Sequence, residues 1–376
     1  MRHNYLYIIA LCSVLWGLVS CDDDRQEVQL PVDEASCIYL GAQVGPQVVT
    51  RTPYTPENGS NIPSSSTPLD VSVWASTTPN VFPNDGLNGS NNADGKVAIH
   101  TRAHFLGGDP QLLGEAVYPK GNAPVYFVGM HPKSDSWSTD DNNTHALFTF
   151  SGCEDIMFAP MISGSYGIAF EDSPSFYFRH LLTYLRIEMV ADMAEESKLK
   201  REEVSEAWGA IKEISIVSSN KIAIDLSSDQ RGVVFDENTI EMPLYHKDTN
   251  NTFPATDDFY IPTSITEVAY VLCAPVEAQY KYIVDGEDVL KPEYTLQLKT
   301  EQRTIEIPID LKLDSGTTES SYFTGSTMAR QFTILLNFKM GNIISVSATI
   351  ALDAESDWHT HGTGTEELGE EDLIEP

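Results

Sequence analysis

Phe332, Ile334, Leu336 and Phe338 are apolar residues spaced two apart, followed by the turn Lys339-Met340-Gly341-Asn342. The alternation then resumes in Ile344, Val346, Ala348 and Ile350. A period of two places one face of an extended strand against a core, and a tight turn between two such runs makes an antiparallel hairpin. Runs of the same kind recur at Cys37–Val44, Leu69–Ala75, Val97–Phe105 and Val125–Met130. Further along they are Phe176–Val190, Ile214–Val217, Lys221–Leu226, Ala269–Ala274, Tyr294–Lys299 and Thr304–Leu311. Pro308 cannot donate to a ladder, which puts the last of these at a sheet edge or turns that amide outward. Only one segment has helical spacing: Val204, Ala207, Trp208 and Ile211 fall at i, i+3, i+4 and i+7. Many short strands with one short helix predict a mainly β chain of sandwich architecture. Stretches rich in Pro, Ser, Asn and Gly at 51–67 and 78–95, and a polar tract at 134–144, read as loops between strands.

The N-terminus is of another kind. Arg2 and His3 precede an almost wholly apolar run from Tyr5 to Val19, too short for a comfortable membrane span and typical of a signal peptide. It closes on Leu18-Val19-Ser20-Cys21, which resembles the lipobox of bacterial lipoproteins, so Cys21 is the expected lipidated N-terminus. The aspartates Asp22 to Asp24 follow and resemble a surface-export signal of Gram-negative lipoproteins. Of 376 residues, 55 are acidic and 23 are Lys or Arg, a formal charge of −32, and loss of residues 1–20 takes one base and no acid. Such a chain repels phosphate backbones and anionic lipid, which excludes nucleic acid as a default partner and leaves membrane anchoring to the lipid.

No constellation for catalysis is present. Ser163-Gly-Ser-Tyr-Gly167 lacks the spacing of a nucleophile elbow and reads as a turn. His359 and His361 could chelate a metal from an extended segment, but they sit beside a Gly-rich acidic tail, and incidental composition is the simpler reading. Asp140-Asp141-Asn142-Asn143 carries oxygen ligands without EF-hand spacing and reads as a solvated loop. After Cys12 leaves with the signal and Cys21 takes lipid, Cys37, Cys153 and Cys273 remain, with no CxxC pair and an odd count. Core packing is the expected role of these thiols. Sequons at Asn58, Asn88, Asn142 and Asn250 mark exposed loops. The reading is therefore non-enzymatic, with no cofactor and no metal.

Several landmarks together resemble one family. Val125-Tyr-Phe-Val-Gly-Met-His-Pro132, Asp155-Ile-Met157 and Phe178-Arg-His-Leu-Leu-Thr-Tyr-Leu-Arg-Ile-Glu-Met189 are similar to elements of fimbrillin-like lipoproteins, and the last matches their "FxHxLxxLxI" strand. Thr50-Arg51-Thr52 and the closing segment to Trp358 also sit where that family has them. The resemblance implies two tandem transthyretin-like antiparallel β-sandwich domains, at 37–172 and 173–358. Ahead of them stand a signal peptide at 1–20 and a lipidated acidic tether at 21–36, and an acidic tail at 359–376 follows. It implies a fimbrial (pilus) subunit at the cell surface and outer membrane that mediates adhesion. Its partners would be other fimbrial subunits, joined by donor-strand exchange after proteolytic release of the first strand. Arg51, in a loop after the predicted strand Cys37–Val44, is the candidate maturation site. Residues 359–376 hold acids, Gly and His with no alternation, a poor donor strand, so a tip or accessory subunit is expected rather than a stalk unit. The competing class is a glycan-binding surface lipoprotein of a polysaccharide-uptake system, in which Trp74 and Trp137, were they exposed, would stack on sugars; the simpler reading places Trp74 in a strand and Trp137 in a loop.

Overall fold

A computed structural model of the protein describes residues 37–45, 62–82, 99–119, 123–226, 232–247, 249, 251–254, 259–278, 283–284, 287–288, 293–313, 325–341 and 343–350. The first strands are β1 (Cys37–Val44), β2 (Leu69–Ser76), β3 (Ile99–Phe105), β4 (Gln111–Val117) and β5 (Val125–His131). Then come β6 (Ser138–Thr139), β7 (His145–Thr149), β8 (Met157–Gly164), β9 (Ser175–His180) and β10 (Thr183–Ala191), and the helix α1 (Lys198–Trp208). After it follow β11 (Ile211–Ser218), β12 (Lys221–Asp225), β13 (Val233–Phe235), β14 (Ile240–Pro243), β15 (Tyr245–His246) and β16 (Thr266–Cys273). Three short strands, β17 (Glu277–Ala278), β18 (Ile283–Val284) and β19 (Glu287–Asp288), lead to β20 (Tyr294–Thr300) and β21 (Thr304–Ile309). The last are β22 (Lys312–Leu313), β23 (Gly325–Ser326), β24 (Gln331–Lys339) and β25 (Ile343–Ile350). No helix among the described residues is long and apolar enough to cross a membrane.

The strands form a seven-stranded sheet in the order β3-β2-β5-β8-β9-β1-β4 and a six-stranded sheet in the order β15-β16-β10-β24-β25-β22. Two four-stranded sheets, β14-β11-β20-β21 and β13-β12-β7-β6, complete the main layers. The predicted hairpin is the β24–β25 ladder, paired from Phe332 with Ile350 to Lys339 with Ile343. β21 is an edge strand, with Pro308 opposite Thr295, as its missing amide requires. The fold is mainly β, as the alternation predicts.

The run Phe176–Val190, expected as one strand, is two. Apolar alternation continues across Leu181 and Leu182, but both are buried where the chain passes from one sheet to another. The amide of Leu181 donates to the carbonyl of Ile156 at 2.9 Å, which ends β9 there. β9 lies in the seven-stranded sheet and β10 in the six-stranded one. The changeover between these sheets thus falls at Leu181-Leu182, beyond residue 172. A second ladder spans the same region, because β7 pairs with β12, Thr149 opposite Lys221 through His145 opposite Asp225.

Two apolar clusters form the core. Ile38, Leu40, Val71, Phe105, Phe127, Phe176 and Phe178 belong to a cluster within the seven-stranded sheet, while Leu185, Ile187, Trp208, Ile214, Val271 and Leu336 belong to a larger one. The larger also takes in Trp74, Val128 and Phe158 from one face of the seven-stranded sheet. Cys273 is buried in the larger cluster, and burial pushes its thiol up to about 12, in keeping with packing rather than reactivity. The helix buries Val204, Ser205 and Trp208. Ala207, expected on the apolar face, is exposed, and Ile211 opens β11 instead, because Gly209 at φ 72° ends the helix. Trp208 meets the Phe338 ring edge-on at 5.2 Å, carries the Arg303 guanidinium 4.5 Å above its ring, and donates from Nε1 to the Lys339 carbonyl at 3.0 Å. Trp208→Ala is expected to lower unfolding free energy by about 3–5 kcal/mol in urea denaturation, the range for loss of a large buried aromatic side chain.

Candidate functional site: the seat of the first strand

Arg51 and Cys21 lie outside the described residues, one on either side of β1 in sequence. β1 itself lies inside the seven-stranded sheet. One side runs parallel to β9, Gly41 aligned with Ser175 and Val44 with Phe178. The other side runs antiparallel to β4, Cys37 opposite Val117 and Leu40 opposite Gln111. The amides of Gly41 and Gly45 donate to the carbonyls of Pro174 and Phe178 at 3.0 and 2.8 Å. Ile38, Leu40, Ala42 and Val44 point inward and are at most 1% exposed. Between them, Tyr39 is half-buried with its ring against Phe170 at 5.2 Å, and Gln43 is exposed. This is period two, with a bulge between Cys37 and Tyr39.

The energetics of this strand follow from its burial. Each of Ile38, Leu40 and Val44 contributes on the order of 1.5–3 kcal/mol by leaving water. Withdrawing β1 would leave β9 and β4 standing about 9–10 Å apart, two strand spacings, with unpaired amides and carbonyls on facing edges and an apolar floor between. The site is therefore a slot already filled by a strand of the chain itself, and what the arrangement can do is hold a strand.

The motifs that carry the family resemblance converge beside this slot. Phe178 lies over Gly129 so closely that a Cβ on Gly129 would come 2.7 Å from the ring. His180 Nδ1 lies 3.0 and 2.9 Å from the two Asp155 oxygens, and both side chains are buried. His131, half-buried at the end of β5, makes a 2.8 Å hydrogen bond through Nδ1 to the Asp70 carbonyl. Burial lowers the His131 pKa, opposed chiefly by the charge of Asp155. Gly129 of β5 and Asp155 just before β8 thus both meet β9, the strand on which β1 pairs.

Other sequence candidates resolve differently. Trp74 and Trp137 are 3% and 6% exposed. Trp137 Nε1 donates to the Pro132 carbonyl at 2.8 Å while its ring packs 4.5 Å from Phe148. Neither face is open to a sugar, which removes the feature offered for glycan stacking. Asp140 turns its carboxylate inward, accepting from the amides of Thr144 and His145 at 2.7 and 2.9 Å. Ser163 and Gly164 end β8, and Tyr166 and Gly167 form a turn. Among the described residues no group of three His, Cys, Asp or Glu side chains is placed to hold a metal ion. A cavity of about 410 Å³ lies over the sheet that contains β7 and β12, lined by Leu147, Ala223 and Val234 with Lys221 and Asp236 at one end.

No protein-family model and no curated protein matches this chain. Among solved structures it is similar to a candidate cell adhesion protein from Bacteroides uniformis, with 12% identity and a TM-score of 0.45 over 86% of this chain and 99% of that one. A fimbrial protein from Bacteroides vulgatus is similar at 11% identity and a TM-score of 0.41, over 83% and 98% of the two chains. The fimbrial anchor protein Mfa2 from Porphyromonas gingivalis is similar at 8% identity and a TM-score of 0.36, over 83% and 97%. These are fimbrial and cell adhesion proteins, the class that the sequence motifs resemble.

Two measurements test this geometry. Asp155→Ala takes the carboxylate from His180 in a site closed to water and is expected to cost on the order of 3 kcal/mol by chemical denaturation. A loss below about 1 kcal/mol would show that the pair does not hold the β8–β9 end together. For Asp140, burial opposes ionisation, but the amides of His145 and Thr144 and their side chains outweigh it and hold the carboxyl at about 2, below its ordinary 3.8. The folded pKa is depressed, so this stabilisation is present above pH 3.8 and disappears as pH falls through about 2. Asp140→Asn should flatten the acid limb of the stability curve in that window and leave its slope near neutrality unchanged.

Proposed function

We propose that this protein is a surface-anchored fimbrial subunit of the tip or accessory kind. In this reading it is exported as a lipoprotein on Cys21, assembles by strand exchange and mediates adhesion. The observation that carries it is the placement of β1. A strand with four fully buried apolar side chains is joined to the rest of the chain through a segment that includes Arg51. Cleavage at Arg51 would leave β1 held by noncovalent contacts alone. While joined, β1 faces its slot at the high effective concentration of a tethered ligand; once cut, its departure is favoured by dilution. The emptied slot then takes a strand from a partner subunit, a case of β-augmentation. The family resemblance of the motifs supports the same reading, as do the lipobox and its aspartates. The tip or accessory role rests on residues 359–376, which lack the alternation a donor strand needs.

An Arg-specific protease applied to the soluble chain is expected to cut after Arg51 before any other site, as read by mass spectrometry. Arg51→Ala should block both this cut and incorporation into fibres, and fibres from the wild type should contain one copy each. Cys21→Ala should abolish labelling by a palmitate analogue. Normal assembly of the Arg51→Ala protein, or several copies per fibre, would remove strand release or the tip role respectively.

A further inference from the structure

Resting on the strand-release reading, we propose that the slot selects its partner strand by demanding glycine at the position Gly41 now occupies. Apolar side chains would fill the positions of Ile38, Leu40, Ala42 and Val44. The present occupant shows what the slot accepts. Glycine within a strand costs conformational entropy and packs nothing, so its presence in a buried one points to close backbone approach. At Gly41 that approach is explicit. A Cβ there would lie 2.7 Å from Ser175 Oγ, 3.1 Å from Ser175 Cβ and 3.6 Å from Ser175 Cα.

The Ser175 hydroxyl could rotate away, but its Cβ moves only with the backbone, and that backbone is hemmed in. The Gly41 amide is bonded to the Pro174 carbonyl at 3.0 Å, and Pro174 has a fixed φ. Pro174 in turn packs close to Gly164 of β8, where an added Cβ would meet Pro174 Cγ at 3.2 Å and the Tyr118 hydroxyl at 2.1 Å. The start of β9 therefore has little room to retreat from a bulkier guest. A side chain branched at Cβ fits worst, because its second substituent cannot swing clear when the first does.

The rule has a consequence for this chain's own tail. Leu368-Gly369 is a Leu-Gly pair of the right kind. Laid on Leu40-Gly41, it would place Glu366, Glu370 and Asp372 at the inward positions of Ile38, Ala42 and Val44. Unpaired carboxylates are excluded from an apolar floor. In that register the Leu368-Gly369 segment does not suit the slot, which calls for an apolar-x-apolar-Gly-apolar-x-apolar segment like that of β1 itself.

The test uses the full chain from residue 22 with a specific protease site placed between residues 46 and 61, so that it does not depend on Arg51. After cleavage, fluorescent peptides with the sequence of residues 37–45 (Cys37→Ser) are offered with Gly, Ala or Val at position 41, and binding is read by anisotropy. The Gly peptide should bind and the Val peptide should bind at least about tenfold more weakly, with Ala between, as expected for overpacking against fixed backbone. Ser175→Gly in the protein should restore most of the Val peptide's affinity and leave the Gly peptide's little changed. Equal binding of Gly and Val peptides would overturn the selection rule while leaving strand release intact. Failure of every peptide, the Gly peptide included, would overturn strand release itself and the rule with it.

Discussion

The buried pair of Asp155 and His180 is the contact on which the rest of the arrangement depends. Asp155 stands just before β8 and His180 closes β9, so their bond clamps the two strands at the end where Met157 faces His180 and Phe158 faces Arg179. Burying a carboxylate or an imidazole alone is costly, and together they are tolerated only in this geometry. One residue later the Leu181 amide is taken by Ile156, and the chain must leave the sheet. On one side of this point β9 offers its free edge to β1. On the other, β10 enters the six-stranded sheet between β16 and β24. A single polar contact thus sets the slot and also sets the entry to the larger core.

Parallel pairing makes the slot a poor match for anything but a strand laid in one direction. β1 runs with β9 and against β4. A strand inserted the other way would have to bond with both neighbours in a new pattern, since parallel and antiparallel ladders space their hydrogen bonds differently. It would also bring new residues to the position of Gly41, where the start of β9 stands closest. Direction, register and the missing side chain are therefore one constraint expressed three ways. The inward residues alone would set register only to within a shift of two, because period-two alternation repeats.

Much of the local structure was legible in the sequence because alternation and turns are local signals. Cys37–Val44 and the Phe332–Ile350 hairpin fall where their apolar spacing puts them, and Pro308 sits on an edge. What failed was whatever depends on distant partners. Phe176–Val190 reads as one strand because alternation does not register a change of sheet. β4, Gln111–Val117, carries adjacent Leu112 and Leu113 and a central glycine, which spoil its pattern. Trp74 lies in a strand as its alternation suggests, but nothing in a tryptophan's neighbours along the chain tells whether its ring is covered, so only the structure closes Trp74 and Trp137 to a sugar. Most telling, the sequence shows β1 as a strand and Arg51 as a loop residue, but only the pairing with Ser175–Phe178 shows that this strand occupies a slot.

Exchange of one strand for another of equal quality gains no contact energy, so assembly through this slot needs an asymmetry. In the proposed assembly, cleavage would supply part of it by ending the tether's advantage, and an incoming strand could add contacts beyond the slot. Charge supplies no help between copies of this chain, because a formal −32 repels its like. The apolar interior of the slot is indifferent to salt, whereas that repulsion is screened within about 10 Å at 0.1 M ionic strength. Attraction in this design is short-ranged and stereospecific while repulsion is long-ranged and unspecific. Under the proposed reading, a chain built so would be held back from its own kind by charge and committed by a strand that fits.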